Sequence, residues 1–356
     1  MRFWRSLDPC KDCQGQRMTD AEAQVAVVNQ VGIMSQQIQS HVITGGAGFI
    51  GSHLTETLLA RGQRVTVVDN LSNGQQDWLQ GMRSHSRFFF HHTDLRDPEG
   101  LTETLSGADV VWHLAANTNM VIGAESTRVD IENGILSTYN LLEAMRKSTV
   151  SKLLFSSSGA VYGDIERPPA SEEYGPLLPV SLYGSAKLAC EGLVSAYCSI
   201  FGMRAWIFRL GNVLGARMGH GVIFDFIRKL KNDPTELEIL GDGSAEKNYI
   251  LVEEVIDGML YAFEHTEPLC DVYNVGSPST TLVTDIARIV LEQMGLTGVK
   301  LRFSGGIRGW PGDQPRVYMD VSKMHRMGWA TRHSSDEAVR IATHRYLGEN
   351  HRAAIA

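Results

Sequence analysis

The sequence has no long hydrophobic run and no excess of positive charge. Its apolar stretches, such as residues 25–28, are short and interrupted by polar residues, whereas a helix that crosses a bilayer needs about 20 apolar residues. The formal net charge is −7, so the protein offers no broad basic surface to a nucleic-acid backbone or an anionic membrane. We therefore expect no nucleic acid and no membrane among its partners, and any anionic ligand has to be bound locally.

Cysteine is also scarce, with five residues at positions 10, 13, 190, 198 and 270. An odd number without regular spacing does not form a disulfide framework and is typical of a reducing compartment, so we predict a cytoplasmic protein. Cys10 and Cys13 form a C-x-x-C pair, but a structural zinc site takes four ligands and no second pair follows at a suitable spacing. The sequence therefore predicts no metal site.

The length and composition indicate a folded protein with more than one core. Hydrophobic residues make up 43% and charged residues 21% of the 356 residues, as is ordinary for a globular protein. Because a single core rarely serves a chain of this length, we expect a large domain and a smaller lobe that share a cleft. Residues 1–38 have room for one short helix over residues 21–31, and Arg2 and Arg5 precede Asp8 rather than the apolar run of a secretory signal. We interpret them as an extension of unknown role.

From residue 41 onwards, short β-branched runs alternate with longer stretches of helical periodicity. This alternation is typical of β-α-β units in a parallel sheet. Strands are predicted at residues 41–44, 64–69, 87–91, 110–114, 152–156 and 204–209, and helices at residues 50–61, 131–147 and 183–201. Six strands with helical crossovers predict an α/β fold with a doubly wound parallel sheet, because right-handed crossovers place helices on both faces. After Gly215 the alternation loosens, which indicates the smaller lobe.

A glycine-rich turn directly follows the first predicted strand and opens a helix. Residues 45–51 satisfy both G-x-x-G-x-x-G and G-x-G-x-x-G, and such glycines let the backbone approach a pyrophosphate at the N–H groups of the helix. Asp69 ends the second strand, where a carboxylate accepts from ribose hydroxyls and repels a 2′-phosphate. A plain tight turn would also explain the glycines, but with Asp69 in register we predict dinucleotide binding. NAD is favoured over NADP, although the nearby Arg61 and Arg64 leave that preference open.

Two later motifs carry groups for acid–base chemistry. Tyr183 and Lys187 lie four residues apart in a predicted helix, so their side chains share one face. A cation beside a phenol favours the phenolate, and we expect it to lower the pKa of Tyr183 from about 10 towards that of a general base. Ser157 and Ser158 follow the fifth strand, at the edge where open parallel sheets bind ligands, and can bond a sugar oxygen. Taken alone, the spacing of Tyr183 and Lys187 would also be explained by chance, and Ser157 and Ser158 by an ordinary strand end capped by serines.

In order and spacing, these motifs resemble the NAD-dependent epimerase/dehydratase family of extended short-chain dehydrogenases. The similarity includes residues 45–51, Asp69, residues 113–116, the serines after the fifth strand and Tyr183 with Lys187, and it continues through residues 208–215, 241–243 and 274–276. It implies a Rossmann-like doubly wound parallel sheet with a smaller α/β C-terminal substrate-binding lobe. The implied NAD-binding domain comprises residues 39–212 and 248–278, and the nucleotide-sugar lobe comprises residues 213–247 and 279–348.

The same resemblance implies roles for individual residues. Tyr183 would be the base on the sugar hydroxyl, Lys187 would bind the nicotinamide ribose and tune Tyr183, and Ser158 would share the proton. The implied NAD contacts are Gly45, Gly48, Phe49, Ile50, Gly51, Asp69, Asn70, Asn73, Gly74, Asp94 at the adenine, Leu95, Leu114, Ala115, Ala116, Tyr183 and Lys187. The implied substrate contacts are Ser157, Ser158, Tyr183, Asn212, Val222, Lys247, Arg308 and Asp313. A homodimer through the helices that flank Tyr183 is also implied.

The residues after the catalytic serine bear on which reaction of the family takes place. Dehydratases of the family place Asp-Glu there to eliminate water, and decarboxylating members carry a glutamate in the same loop. This chain has Gly159 and Ala160 and no glutamate before Tyr162. A 4-ketone would then persist until the hydride returns, so the resemblance implies a UDP-sugar 4-epimerase that regenerates NAD in each cycle. The small Val317 near the sugar leaves both UDP-glucose and UDP-glucuronate open.

Some positions depart from the family pattern. Residues 117–119, Asn-Thr-Asn, stand where many members have a lysine that contacts the cofactor, and Lys247 supplies a point charge where an arginine is frequent. A dehydratase or decarboxylase, a reductase that releases its cofactor, and a non-catalytic NAD-binding regulator are the competing hypotheses. The intact Ser158, Tyr183 and Lys187 favour catalysis over the last of these.

Overall fold

The computed structural model describes residues 39–118, 123 and 125–353. The strands are β1 (Ser40–Thr44), β2 (Arg64–Asp69), β3 (Phe88–His92), β4 (Val110–His113), β5 (Lys152–Ser158), β6 (Arg204–Leu210), β7 (Asn212–Leu214), β8 (Glu236–Ile239), β9 (Glu246–Lys247), β10 (Tyr249–Leu251), β11 (Cys270–Val275), β12 (Thr281–Leu282), β13 (Lys300–Phe303) and β14 (Arg316–Val317). The α-helices are α1 (Phe49–Ala60), α2 (Leu101–Thr104), α3 (Ser137–Lys147), α4 (Leu182–Phe201), α5 (Val222–Asn232), α6 (Val252–His265), α7 (Val283–Met294), α8 (Ser322–Met327) and α9 (Ser335–Ala353). The expected helix at residues 21–31 and the Cys10–Cys13 pair lie outside the described residues.

The largest sheet has seven strands in the order β11-β6-β5-β4-β1-β2-β3. All neighbouring strands in it are parallel, and the predicted α/β fold with a Rossmann-like doubly wound sheet is confirmed. The six predicted strands all lie in this sheet, whereas β11 is not among them because Asp271 and Asn274 interrupt its apolar pattern. The strand order reverses between β1 and β4, where open α/β sheets bind their ligands.

The predicted helices at residues 50–61 and 183–201 are confirmed as α1 and α4. The third, at residues 131–147, begins with a π-helical turn at Ile131–Leu136 and continues as α3. The Ser137 hydroxyl donates to the Glu132 carbonyl oxygen at 3.0 Å, across the wider turn. Gly134 in this turn packs on α4, because a Cβ there would lie 3.2 Å from the Ala186 Cβ. The π-helical turn therefore lies beside the start of α4, which carries Tyr183 and Lys187.

The described residues contain four buried apolar clusters, three of which are large. Two cover the opposite faces of the large sheet, one containing Leu54 and Trp206 and the other containing Leu141 and Val194. The third is formed mainly by α5, α7, α9, β8 and β10 and includes the fully buried Leu237. This third cluster gives the C-terminal elements a core of their own, and the boundaries of the two lobes stay a prediction. Among the described residues, no helix is both long and apolar enough to cross a membrane.

Candidate active site

The glycine turn between β1 and α1 packs too closely for side chains at two positions. Gly45 has a φ of +71°, and a Cβ there would lie 2.7 Å from the Ala115 nitrogen. A Cβ at Gly51 would lie 2.7 Å from the Gly46 Cα. Both positions therefore require glycine, and the turn lies directly against the predicted cofactor contacts that follow β4.

The first turn of α1 is suited to binding an anion. Its N-cap residue, Gly48, provides no side-chain cap, and the turn contains no acidic residue. The N–H groups of Phe49 and Ile50 have no acceptor within the helix, and the helix dipole adds partial positive charge. This arrangement fits the pyrophosphate of a dinucleotide.

Asp69, at the end of β2, holds the glycine turn in place. Its Oδ2 accepts from the Ala47 nitrogen at 3.0 Å, and its Oδ1 accepts from the Leu71 nitrogen at 2.8 Å. Burial raises the pKa of the Asp69 carboxyl, and the two main-chain hydrogen bonds oppose that shift. Gly74 lies beside it, since a Cβ there would be 2.9 Å from Asp69 Oδ1. Each carboxylate oxygen keeps a lone pair that a ribose hydroxyl can use.

The other predicted cofactor contacts near Asp69 divide into two kinds. Asn70 Nδ2 donates to Asp94 Oδ2 at 3.0 Å, and Arg96 pairs with Asp94 at 2.6 Å between Nη2 and Oδ2. The Arg96 guanidinium holds the pKa of the Asp94 carboxyl well below its usual range. Leu95 is buried in the core and Asn73 is exposed. Asn70 and Asp94 thus form one hydrogen-bonded unit after β2 and β3, whereas the Leu95 side chain packs against the sheet.

Ser158 and Tyr183 meet at the C-terminal end of β5. Ser158 is the last residue of β5, and its Oγ accepts from the Ala160 nitrogen at 3.2 Å. Its hydroxyl is also hydrogen-bonded to that of Tyr183. Tyr183 lies in the first turn of α4, whose N-cap residue, Ser181, accepts from the Gly184 nitrogen at 3.1 Å. The cap fixes where the helix starts and therefore where the phenol points.

Lys187 lies one helical turn after Tyr183 and is buried. Its Nζ donates to the Ser156 carbonyl oxygen at 2.6 Å and lies 5.9 Å from the centre of the Tyr183 ring. Burial lowers the pKa of Lys187 to about 8 and raises the pKa of Tyr183 to about 12. The expected lowering of the Tyr183 pKa by Lys187 is therefore wrong for the protein alone, because the ammonium is directed at the Ser156 carbonyl and burial of the phenol dominates.

Ser157 points into a buried ionic network that the sequence analysis missed. Its hydroxyl donates to Glu191 Oε1 at 2.5 Å, and Glu191 forms a two-point ion pair with Arg209 at 3.0 and 2.7 Å. Alternation along β5 sends Ser157 to the opposite face from Ser156 and Ser158. Because Ser157 is buried with its hydroxyl engaged, we correct its expected substrate contact to a supporting contact with Glu191. No local pattern marks the pair, since its two members lie on different elements.

Three predicted substrate contacts come together in the C-terminal part. Lys247 pairs with Asp313 at 2.8 Å between Nζ and Oδ1. Arg308 pairs with Asp164 at 2.5 Å and also donates to the Asp313 carbonyl oxygen. Lys247, Arg308 and Asp313 therefore form one charged cluster, and each of them has a partner within the protein.

The remaining predicted substrate contacts lie at the starts of two elements. Asn212 begins β7, and its Nδ2 donates to the Asn248 carbonyl oxygen at 3.3 Å. Val222 begins α5 and is half-buried. Val317 lies next to the residue that follows Ser158, because a Cβ at Gly159 would lie 3.1 Å from Val317 Cγ1. The structure therefore places Val317 at the end of β5, where the sequence analysis expects the sugar.

The fold and the site together define an NAD-binding enzyme of the short-chain dehydrogenase type. The glycine turn, Asp69 and the group of Ser158, Tyr183 and Lys187 all lie at the C-terminal edge of one parallel sheet. The model of the NAD dependent epimerase/dehydratase family matches residues 41–276. The chain belongs to this family.

Relatives and solved structures resemble the chain over most of its length. A putative UDP-glucose 4-epimerase of Methanocaldococcus jannaschii is 32% identical over 295 residues, which cover 81% of this chain and 92% of that protein. The crystal structure of a UDP-galactose 4-epimerase shares 36% identity and a TM-score of 0.78, covering 87% of this chain and 99% of the other. A UDP-glucuronic acid 4-epimerase of Bacillus cereus, solved with UDP-glucuronic acid and NAD, shares 26% identity and a TM-score of 0.79, covering 87% and 99%.

Proposed function

We propose that the protein is an NAD-dependent UDP-sugar 4-epimerase that inverts C4 of UDP-glucose or UDP-glucuronate. The observation that carries the proposal is the meeting of Ser158, Tyr183 and Lys187 beside a turn that contains no carboxylate. Similar proteins named as epimerases of UDP-glucose, UDP-galactose and UDP-glucuronic acid support the substrate class.

In this proposal the protein's own residues move the proton. Tyr183 takes the proton of the sugar 4-hydroxyl, and the Ser158 hydroxyl stabilises the phenolate by donating to it. In the protein alone the Lys187 ammonium is directed at the Ser156 carbonyl. With NAD bound, Lys187 would instead hold the nicotinamide ribose beside Tyr183, where its charge would favour the negative phenolate. Bound NAD supplies the acceptor and donor of the C4 hydride. Rotation of the 4-ketose in the site before the hydride returns inverts C4.

The turn after Ser158 lacks the groups that a dehydratase or a decarboxylase would need. Gly159–Tyr162 forms a short buried helical turn that contains no carboxylate. A Cβ at Gly159 would lie 3.0 Å from Met319 Sδ and 3.1 Å from Val317 Cγ1, so a longer acidic side chain does not fit there without repacking. Without an acid and a base near C5 and C6, water is not eliminated and the 4-ketone remains available for reduction.

The region around Asp69 supports NAD as the cofactor. The Asp69 carboxylate would repel a 2′-phosphate. The two arginines that left the preference open have other partners, because Arg61 pairs with Glu264 at 2.6 Å and Arg64 stacks on the Phe89 ring at 4.4 Å. Neither arginine is therefore directed at a 2′-phosphate beside Asp69.

Replacing Asp69 by asparagine should weaken NAD binding by about 10- to 100-fold. Both oxygens of Asp69 accept hydrogen bonds from main-chain N–H groups. In the asparagine variant the side-chain NH2 would face one of these N–H groups, and that hydrogen bond would be lost. Isothermal titration of the NAD-depleted protein measures the change. Asp77→Asn, at an exposed acid in the turn at Gln76–Met82, is the matched control and should bind NAD normally. Equal affinity of both variants would refute the assignment of Asp69 to the ribose.

We also propose that the nucleotide diphosphate binds at the cluster of Lys247, Arg308 and Asp313. The two cations supply donors for phosphate oxygens, and the Asp313 carboxylate suits a ribose hydroxyl. Arg308 is paired with the half-exposed Asp164. When substrate binds, Arg308 would exchange this partner for the doubly charged diphosphate. In this proposal Asn212 and Val222 also contact the substrate, in a cleft between two proposed lobes, residues 39–212 with 248–278 and residues 213–247 with 279–348.

A product assay without added reductant tests the activity. Purified protein is incubated with UDP-glucose and, separately, with UDP-glucuronate, and the products are resolved by chromatography and proton NMR at C4. We expect the matching galacto sugar to form with no net change in nicotinamide absorbance. Accumulation of a deoxygenated, unsaturated or decarboxylated sugar would indicate a dehydratase or decarboxylase instead. A stoichiometric change in nicotinamide absorbance would indicate a reductase.

A homodimer is the assembly we propose. Large apolar side chains are exposed on the π-helical turn, α3 and α4, namely Ile131, Leu136, Tyr139, Leu182, Ile200 and Phe201. Such a surface on neighbouring helices is typical of an interface between copies. Light scattering coupled to gel filtration should give twice the mass of one chain, and the mass of a single chain at micromolar concentration would contradict the proposal.

A further inference from the structure

Asp130, just before the π-helical turn, is a buried acid that the proposed mechanism does not use. Only 3% of it is exposed. Its Oδ1 accepts from Asn117 Nδ2 at 3.0 Å, but no described residue hydrogen-bonds to its buried Oδ2. Gly123 lies against this oxygen and has no side chain to offer. A buried carboxylate with an unsatisfied oxygen is costly, so its environment requires an explanation.

The position of Asp130 links it to Tyr183 and Lys187. The π-helical turn that follows it packs on the start of α4, where Gly134 meets Ala186, the residue before Lys187. The negative charge of Asp130 acts on both groups of the pair, opposing ionisation of the phenol and favouring the charged ammonium. No ion pair joins Asp130 to any described cation, so it acts across space rather than through a direct contact.

The other titratable groups around Tyr183 and Lys187 are either neutral or neutralised by an ion pair. Burial lowers the pKa of His113 to about 3, so its ring is neutral. Burial raises the pKa of the Cys190 thiol, which is neutral as well. Glu191 is compensated by its ion pair with Arg209. Asp130 is thus the carboxylate near the pair that lacks a cationic partner among the described residues.

We propose that Asp130 is a positioning residue that favours the charged form of Lys187 and the protonated form of Tyr183. The inference rests on the proposed roles of Tyr183 and Lys187 and extends them to a residue outside the sequence motifs. The negative charge of this buried carboxylate raises the pH at which each of the two groups loses its proton. Removing that charge therefore moves both ionisations to lower pH.

The test compares Asp130→Asn with Glu132→Gln in the NAD-loaded protein. Glu132 lies two residues further on and pairs with the exposed Arg128. Its variant removes one negative charge from the same segment without changing the electrostatics at Tyr183 and Lys187. Tyrosinate absorbance is titrated with pH in each background, and subtracting the same titration with Tyr183→Phe isolates Tyr183. The pH dependence of kcat is recorded in parallel.

In Asp130→Asn we expect the Tyr183 titration and both limbs of the kcat profile to move down by about one pH unit. Turnover would then rise about tenfold on the acidic limb and fall on the basic one, whereas Glu132→Gln leaves the profile in place. An unchanged Tyr183 titration in Asp130→Asn, or an equal shift in Glu132→Gln, would overturn the inference. If the asparagine variant does not fold, Asp130→Ser, which is neutral and leaves space for a water, is titrated instead. Absence of epimerase activity in the wild type would refute the proposed function, and the tyrosinate titration would still decide the role of Asp130.

Discussion

Replacement of Tyr183 by phenylalanine is expected to reduce epimerase turnover by about 10³-fold, within the range for loss of a positioned general base. The variant keeps the ring between β5 and α4 but loses the hydroxyl that is hydrogen-bonded to Ser158. The glycine turn and Asp69 are untouched, so NAD should remain bound. Steady-state turnover, together with the nicotinamide content of the purified protein, measures the two quantities separately.

The matched control for this variant is Tyr261→Phe. Tyr261 is a partly buried tyrosine on α6, and its hydroxyl donates to the Met327 carbonyl oxygen at 2.7 Å. Its loss removes one structural hydrogen bond of about 1 kcal/mol and should leave turnover within a factor of two or so. If Tyr183→Phe retains more than a tenth of the wild-type rate, another group takes the proton and the proposed mechanism fails.

The largest expected effect on stability follows from Arg209→Met. Arg209 and Glu191 are both almost fully buried and are joined by two hydrogen bonds. The Arg209 guanidinium also donates to the Tyr162 hydroxyl at 3.1 Å. Methionine would leave the Glu191 carboxylate buried without its partner, and we expect the free energy of unfolding to fall by about 3–5 kcal/mol. Urea denaturation, followed by circular dichroism, measures the loss.

Two further variants test whether the unpaired Glu191 charge causes the loss of stability in Arg209→Met. The double variant Glu191→Leu with Arg209→Met removes both charges and should recover most of the lost stability, because the cost arises from the unpaired carboxylate. Arg345→Met breaks the exposed pair with Glu253, whose side chains are 40% and 44% exposed, and should cost less than about 1 kcal/mol. A double variant as unstable as Arg209→Met alone would show that packing of the arginine, rather than its charge, stabilises this region.

The parts of the fold that follow local rules could be predicted from the sequence. Alternating short strands and helices predicted six of the seven strands of the large sheet, and β11 escaped because its polar residues mask the pattern. The glycine turn was recognisable because the backbone itself demands glycine at Gly45 and Gly51. Tyr183 and Lys187 were found because helical spacing alone places them on one face.

The direction in which these side chains point, and their charge states, depend on packing between distant parts of the chain. Ser157 differs from Ser158 by one position along β5, yet contact with Glu191 on α4 turns it into a supporting residue. Burial, which no local pattern records, reverses the expected direction of the Tyr183 pKa and directs Lys187 to the Ser156 carbonyl. Asp130 gains its influence from the packing of the π-helical turn on α4, more than fifty residues further along the chain. The fold class and the local motifs could be predicted because they depend on neighbours along the chain, whereas electrostatics and side-chain contacts depend on neighbours in space.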